Sequence, residues 1–90
     1  MNREKTIREK LSKQISEEKI IALRLKGFLE IFSAFKGKSL DEIPEGYKKM
    51  IVKVGCSSVE ECINLIYQNI AYSNEQISTL LKQYARLKYN

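Results

Sequence analysis

The sequence predicts an all-α fold: a small helical bundle with one long N-terminal helix and three shorter helices. Apolar residues recur at steps of three and four along most of the chain, which is the spacing of amphipathic helices. No segment shows the apolar–polar alternation that is typical of a half-buried strand. With 90 residues, of which 43% are hydrophobic, the chain is expected to form a single helical domain over residues 1–90.

The first helix is predicted from about residue 4 to residue 35. Its apolar stripe is interrupted upstream, where Gln14 and Glu18 fall in line with apolar residues, so either one long helix has a polar gap or two helices meet near Ser16. No Gly or Pro intervenes near Ser16, which favours one long helix, and Gly37 between two lysines is a stop signal. The stripe consists of Ile7, Leu11, Ile21, Leu25, Phe28, Phe32 and Phe35.

The middle of the chain contains two short helical signals. Ser39 and Glu42 have capping-box spacing, which predicts a single turn. A short helix is expected from Glu45 to Val54, because apolar residues recur there at helical spacing, and Gly55 ends it.

Two further start signals predict the last two helices. Ser58 and Glu61 form a second capping box, and the helix that follows has an apolar face through residue 70. Ser73 followed by Asn, Glu and Gln is a third start signal, so a separate last helix is expected from there. The apolar faces are Val59, Cys62, Ile63, Ile66 and Ile70, then Ile77, Leu80, Leu81, Tyr84 and Leu87.

The C-terminal pattern resembles the small bacteriocin-immunity proteins, which are basic four-helix bundles. The resemblance covers residues 70–90, and it implies a protein-binding adaptor of the immunity type. The long first helix and the break at Gly55 depart from that family, and no site residue is transferred. The pattern consists of Ile70, Tyr72, Ser73, Glu75, Gln76, Leu80 and Leu81.

Composition argues against enzymatic chemistry. The chain has no His, and it contains no nucleophile motif, phosphate-cradling Gly-rich loop or cofactor fingerprint. Cys56 and Cys62, separated by five residues, match no zinc pattern. Cys62 is expected to be a small buried residue, with redox pairing of the two thiols as the alternative. The prediction is a non-enzyme without catalytic residue, metal, cofactor or small-molecule substrate.

The first helix provides the candidate protein-binding surface. Leu23 stands apart from the apolar stripe on an otherwise polar side of the helix, beside Gly27, which would let another helix approach closely. We therefore expect a small regulator, inhibitor or immunity-type adaptor whose partner is another protein or a second copy in a homodimer. The predicted contact residues are Lys19, Leu23, Lys26 and Glu30.

The formal charge of +5 leaves nucleic acid as the alternative partner. Lys48, Lys49 and Lys53 are the candidate contacts, since Lys49 and Lys53 lie one turn apart on the short helix. Two glutamates at the start of the following helix oppose DNA binding there, because phosphates would repel them. No run is apolar enough for a membrane span, and no secretory signal opens the chain, so a cytoplasmic location is expected.

Overall fold

The computed structural model describes residues 2–89, without the side chains of residues 2, 4, 88 and 89. Within that range the chain forms three α-helices and one 3-10 turn, and it has no strand, so the all-α class is confirmed. α1 and α3 pack along each other as an antiparallel hairpin, and the molecule measures 58 × 19 × 18 Å. The elements are α1 (Asn2–Ala34), the 3-10 turn (Leu40–Glu42), α2 (Glu45–Lys53) and α3 (Val59–Tyr89).

The predicted count of one long and three shorter helices is wrong, because the last two predicted helices are one. α3 continues through Ser73, which is only 4% exposed, and its length nearly equals that of α1. The residues that face α1 follow steps of four and three without interruption, and no Gly or Pro lies between them. Ser73 is therefore a small residue packed in a helix interface and not a helix start. The facing residues are Ile66, Ile70, Ser73, Ile77, Leu80 and Tyr84.

α1 is a single helix through Ser16, as the absence of Gly and Pro around that residue predicted. Its N-terminal half, however, faces α3 with a different stripe from the one predicted. Ile15 and Ala22 are buried, whereas Gln14 is exposed and Ile21 is 44% exposed. The face toward α3 thus keeps Leu11 and Glu18 but has Ile15 and Ala22 in place of Gln14 and Ile21, and it has the seven-residue repeat of an antiparallel coiled coil. It consists of Leu11, Ile15, Glu18, Ala22, Leu25, Leu29 and Phe32.

Most of the core lies at one end of the hairpin, which we call the closed end, where α2 and the loops cover α1 and α3. Ile51 of α2 and Val59 of α3 are completely buried, and Phe32 of α1 is 2% exposed. The rings of Phe32 and Tyr47 meet edge to face with centroids 5.7 Å apart, a favourable aromatic geometry. The core comprises Phe32, Ile43, Ile51, Cys56, Val59, Cys62, Ile63 and Ile66.

Two glycines end helices as predicted. Gly37 follows α1 with φ +87°, and Gly55 follows α2 with φ +84°; both values lie in the left-handed region that favours glycine. At Gly55 the turn is a Schellman motif, since Gly55 N–H donates to the Val52 carbonyl and Cys56 N–H to the Ile51 carbonyl, each at 3.0 Å.

The capping box before the 3-10 turn is confirmed, whereas the one before α3 forms in part, since the Glu61 carboxylate binds Ser57 and not the Ser58 N–H. The Glu42 carboxylate accepts a 2.9 Å hydrogen bond from the Ser39 hydroxyl. At the start of α3 the Glu61 N–H donates to the Ser58 hydroxyl oxygen at 3.1 Å. These bonds satisfy backbone and side-chain groups that a helix start would otherwise leave to water.

Beyond the closed end, α1 and α3 continue as a bare pair that we call the open arm, residues 2–24 and 70–89. Among its described residues only Ile15, Ala22 and Ser73 are buried. The arm has one interface and no covering layer, so apolar side chains on its flanks stay in contact with water. Exposed apolar residues of the arm include Ile7, Ile20, Ile21, Leu23, Tyr72 and Leu81.

Candidate protein-binding surfaces

The predicted contact residues on α1 form a surface that we call the Leu23 face: Lys19, Leu23, Lys26 and Glu30. Leu23 is 67% exposed, the most exposed large apolar side chain in the described part of the chain. Lys19, Leu23 and Lys26 line a shallow groove between α1 and α3, with Ala22 on its floor. Asn74 and Ile77 of α3 form the other wall of the groove. The structure therefore brings three of the four predicted residues together.

Glu30 is exposed on the same side of α1, one turn beyond Lys26, and does not line the groove. The groove itself has a positive rim, because neither Lys19 nor Lys26 has a carboxylate partner. Among the side chains that the structure describes, the one ion pair lies elsewhere, between Lys48 and Asp41. An apolar contact between two unpaired cations suits a partner with an apolar side chain and nearby carboxylates.

The candidate nucleic-acid contacts are divided by this ion pair. Lys48 Nζ lies 2.9 Å from Asp41 Oδ1, and the hydrogen bond raises the pKa of Lys48 and lowers the pKa of Asp41. Lys49 and Lys53 are exposed one turn apart on α2. Lys48 is thus engaged within the chain, and two lysines of the predicted basic ridge are free to meet solvent.

The two glutamates at the start of α3 bind neighbouring turns. Glu60 accepts a hydrogen bond from Gly37 N–H at 2.8 Å, and this bond is the main reason that the pKa of Glu60 is lowered. Glu61 accepts bonds from the hydroxyl and the N–H of Ser57, at 2.6 and 3.1 Å, which lower the pKa of Glu61. Both carboxylates hold the loops at the closed end.

Cys56 and Cys62 are buried free thiols in the same core cluster. Burial raises the pKa of Cys62, and the neighbouring Cys56 raises it further. Cys62 therefore lies in the core as the sequence predicted, and Cys56 in the turn joins it there. Across residues 2–89 no group of three or more His, Cys, Asp or Glu side chains is arranged to hold a metal ion.

Sequence reasoning missed a second surface on the opposite side of the hairpin. An apolar groove of about 180 Å³ opens where α2 meets the hairpin, lined by Phe28 of α1, Met50 and Val54 of α2, and Leu65 and Asn69 of α3, among others. Phe28 belongs to a column of residues spaced by seven that contains no charge: Ile7, Gln14, Ile21, Phe28 and Phe35. That column is the signal that the sequence offers for this surface, and its spacing also fits the predicted core stripe.

Comparison of the chain with protein-family models, with curated proteins and with solved structures gives no match. Within the described range, none of the helices combines the length and apolarity that crossing a bilayer requires.

Proposed function

We propose that this chain is a non-enzymatic protein-binding module that acts through the Leu23 face, as a small regulator, inhibitor or immunity-type adaptor. The observation that carries the proposal is Leu23 itself, 67% exposed in a groove between two unpaired lysines. An apolar side chain so placed contributes little to the stability of its own chain, because water still covers most of it. It gains most when a partner covers it.

The groove favours an acidic helical segment as the partner. Lys19 and Lys26 are seven residues apart, so their Cα atoms are separated by about 10.5 Å along α1. Carboxylates two turns apart on a second helix would match that separation, with an apolar residue between them against Leu23 and Ile77. The net charge of +5 would accelerate the encounter with such a partner.

Affinity enrichment with matched variants tests the proposal. The wild type and Ile20→Asp are expected to retain the same specific partner, whereas Leu23→Asp loses it. Ile20 is a suitable control because it is also an exposed apolar residue of α1, at 49%, but lies about 60° further from α3 than Leu23. The retained partner is then titrated against Lys19→Glu/Lys26→Glu, which should bind at least tenfold more weakly if its contact segment is acidic. A Leu23→Asp protein that keeps every interaction would contradict the proposal.

A separate titration tests the alternative function, nucleic-acid binding. Labelled duplex DNA and single-stranded RNA are titrated at about 50 and about 200 mM salt, because phosphate contacts weaken steeply with salt. Micromolar binding that collapses at the higher salt, and that Lys49→Glu/Lys53→Glu abolishes, would replace the proposed function with the nucleic-acid alternative.

A further inference from the structure

Two seven-residue columns on one flank of the open arm contain no charged side chain, although 30% of the residues in the chain are charged. We call this pair of columns the uncharged flank: Ile7, Gln14 and Ile21 of α1 with Gln76 and Gln83 of α3. The flank lies on the same side of the hairpin as α2. Phe28 continues the α1 column and Asn69 continues the α3 column, and both line the apolar groove beside α2. Positions that flank a two-helix interface normally carry charges when water covers them. Their absence here indicates a surface that another layer covers.

The exposed surface of the chain is larger than a compact monomer needs. The accessible surface is 6796 Å² for a mass of 10.5 kDa. A globular monomer of that mass exposes about 5,400 Å², so the excess is about 1,400 Å². A stable interface buries about 800 Å² on each partner. The surplus of the whole chain is therefore larger than the area that one partner of a stable dimer buries.

We propose that the uncharged flank binds a second copy of this chain, with the two open arms antiparallel and a two-fold axis at Gln14. The column Ile7–Gln14–Ile21 reads the same in both directions, so Ile7 of each copy would pack against Ile21 of the other. Gln14 would meet its own counterpart at the axis. A single polar residue in such a position fixes the register of a helical interface. The two hairpins together form a four-helix arm with a closed end at each extremity.

Charged residues border the flank on the next seven-residue column of α1. Lys10 and Glu17 lie on the next column of α1, on either side of Gln14. The antiparallel arrangement brings Lys10 of one copy near Glu17 of the other. It also brings Arg24, on the same column, near Arg3 of the other copy, so opposite charges meet beside the axis and like charges meet farther out. A parallel arrangement would instead place two α2 helices against each other. Because each chain carries +5, the uncharged centre is the part of this surface that favours self-association.

The mass in solution tests the dimer. Sedimentation equilibrium at micromolar concentrations is expected to give twice 10.5 kDa for the wild type. Ile21→Glu should sediment as a monomer and Ile20→Glu as a dimer, a matched pair because the neighbouring isoleucines are 44% and 49% exposed. Far-UV circular dichroism verifies that both variants remain helical. A monomeric wild type, or equal dissociation by both variants, would overturn the proposal.

Cross-linking tests the position of the axis without depending on the folding of a charged variant. Gln14→Cys should form a disulfide-linked dimer under copper-catalysed oxidation, while Lys13→Cys, on the outer side of α1, should not. The wild type controls for the buried Cys56 and Cys62. Linking of both variants, or of neither, contradicts an axis at Gln14.

This inference does not depend on the proposed function, and the two fail separately. The Leu23 face lies on the opposite side of the hairpin, so Leu23→Glu should leave the dimer mass unchanged while it abolishes binding of the partner. A Leu23→Glu monomer would show that the self-contact uses the wrong face.

Discussion

The backbone N–H of Gly37 donates a hydrogen bond of 2.8 Å to Oε1 of Glu60, 23 positions away in the sequence. Gly37 can present its N–H in that direction because it adopts a left-handed backbone conformation just after α1. Glu60 lies in the first turn of α3, where the helix dipole favours a negative charge. The bond joins the end of one long helix to the start of the other, so it helps to hold the hairpin closed.

Acid should weaken the fold. Because the pKa of Glu60 is lower in the folded chain, its carboxylate stabilises the fold above the ordinary value of 4.5, and this contribution is lost as the pH falls through the folded value. Asp41 and Glu61 have lowered pKa values too, so they add to the effect. We expect the urea midpoint to stay level down to the ordinary carboxyl range and to decrease steadily below it.

A pair of amide variants isolates the contribution of Glu60. Glu60→Gln should lower the urea midpoint at neutral pH and flatten the acid decrease, because an amide cannot provide a charged acceptor to Gly37. Glu30→Gln, on an exposed position of α1, should behave like the wild type. Superimposable pH profiles for Glu60→Gln and the wild type would show that the bond adds no stability.

Alanine at the two left-handed glycines should destabilise the fold. Gly37→Ala and Gly55→Ala would each force a side chain into the left-handed region, at a cost of about 1–2 kcal/mol. Space is not the obstacle, since nothing lies within 4 Å of a Cβ at either position. Urea denaturation measures the loss.

Gly27 is the matched control for this prediction. It lies inside α1, where a Cβ would likewise meet nothing within 4 Å, but its φ is not positive. Gly27→Ala should therefore stabilise the chain by about 0.5–1 kcal/mol, because alanine loses less backbone entropy in a helix. Equal changes at Gly27 and Gly37 would refute the assignment of backbone conformation.

Truncating a buried and an exposed valine to alanine should give clearly different losses in the free energy of unfolding. Val59 is completely buried and Val52 is 58% exposed. Val59→Ala should cost about 2 kcal/mol or more in the free energy of unfolding, because it removes buried methyl groups and leaves a cavity at the closed end. Val52→Ala should change it by less than about 0.5 kcal/mol. Similar losses for the two valines would mean that α2 packs with another face toward the core.

The sequence revealed helix ends better than helix faces. Gly37 and Gly55 stop helices for a local reason, so each could be located from the sequence alone. Ser73 has equally good local start chemistry, but it is buried in an unbroken interface, and packing along the whole helix outweighs a local cap. Packing also explains why Ile21 is exposed. The spacing allowed either Ile21 or Ala22 to face α3, and the packing against α3 determines which of them does.

The candidate surfaces also differ in whether a local pattern or the packing of several helices reveals them. Leu23 could be recognised because it is alone among polar residues on its side of α1, a property of one helix. The uncharged flank could not be recognised from the sequence. It is visible only when the register between α1 and α3 is known, together with the position of α2 beside Phe28. Its meaning depends on three elements that are distant in the sequence.

The seven-residue repeat of the α1–α3 interface makes the length of the open arm independent of the closed end. Removing one repeat from each helix, at matching levels, would return every remaining residue to an equivalent position and shorten the arm by about 10.5 Å. Removing fewer residues would rotate the rest of the helix away from its neighbour. The arm is therefore modular: chains of this design can differ in reach by whole repeats while the loops, caps and core at the closed end stay the same.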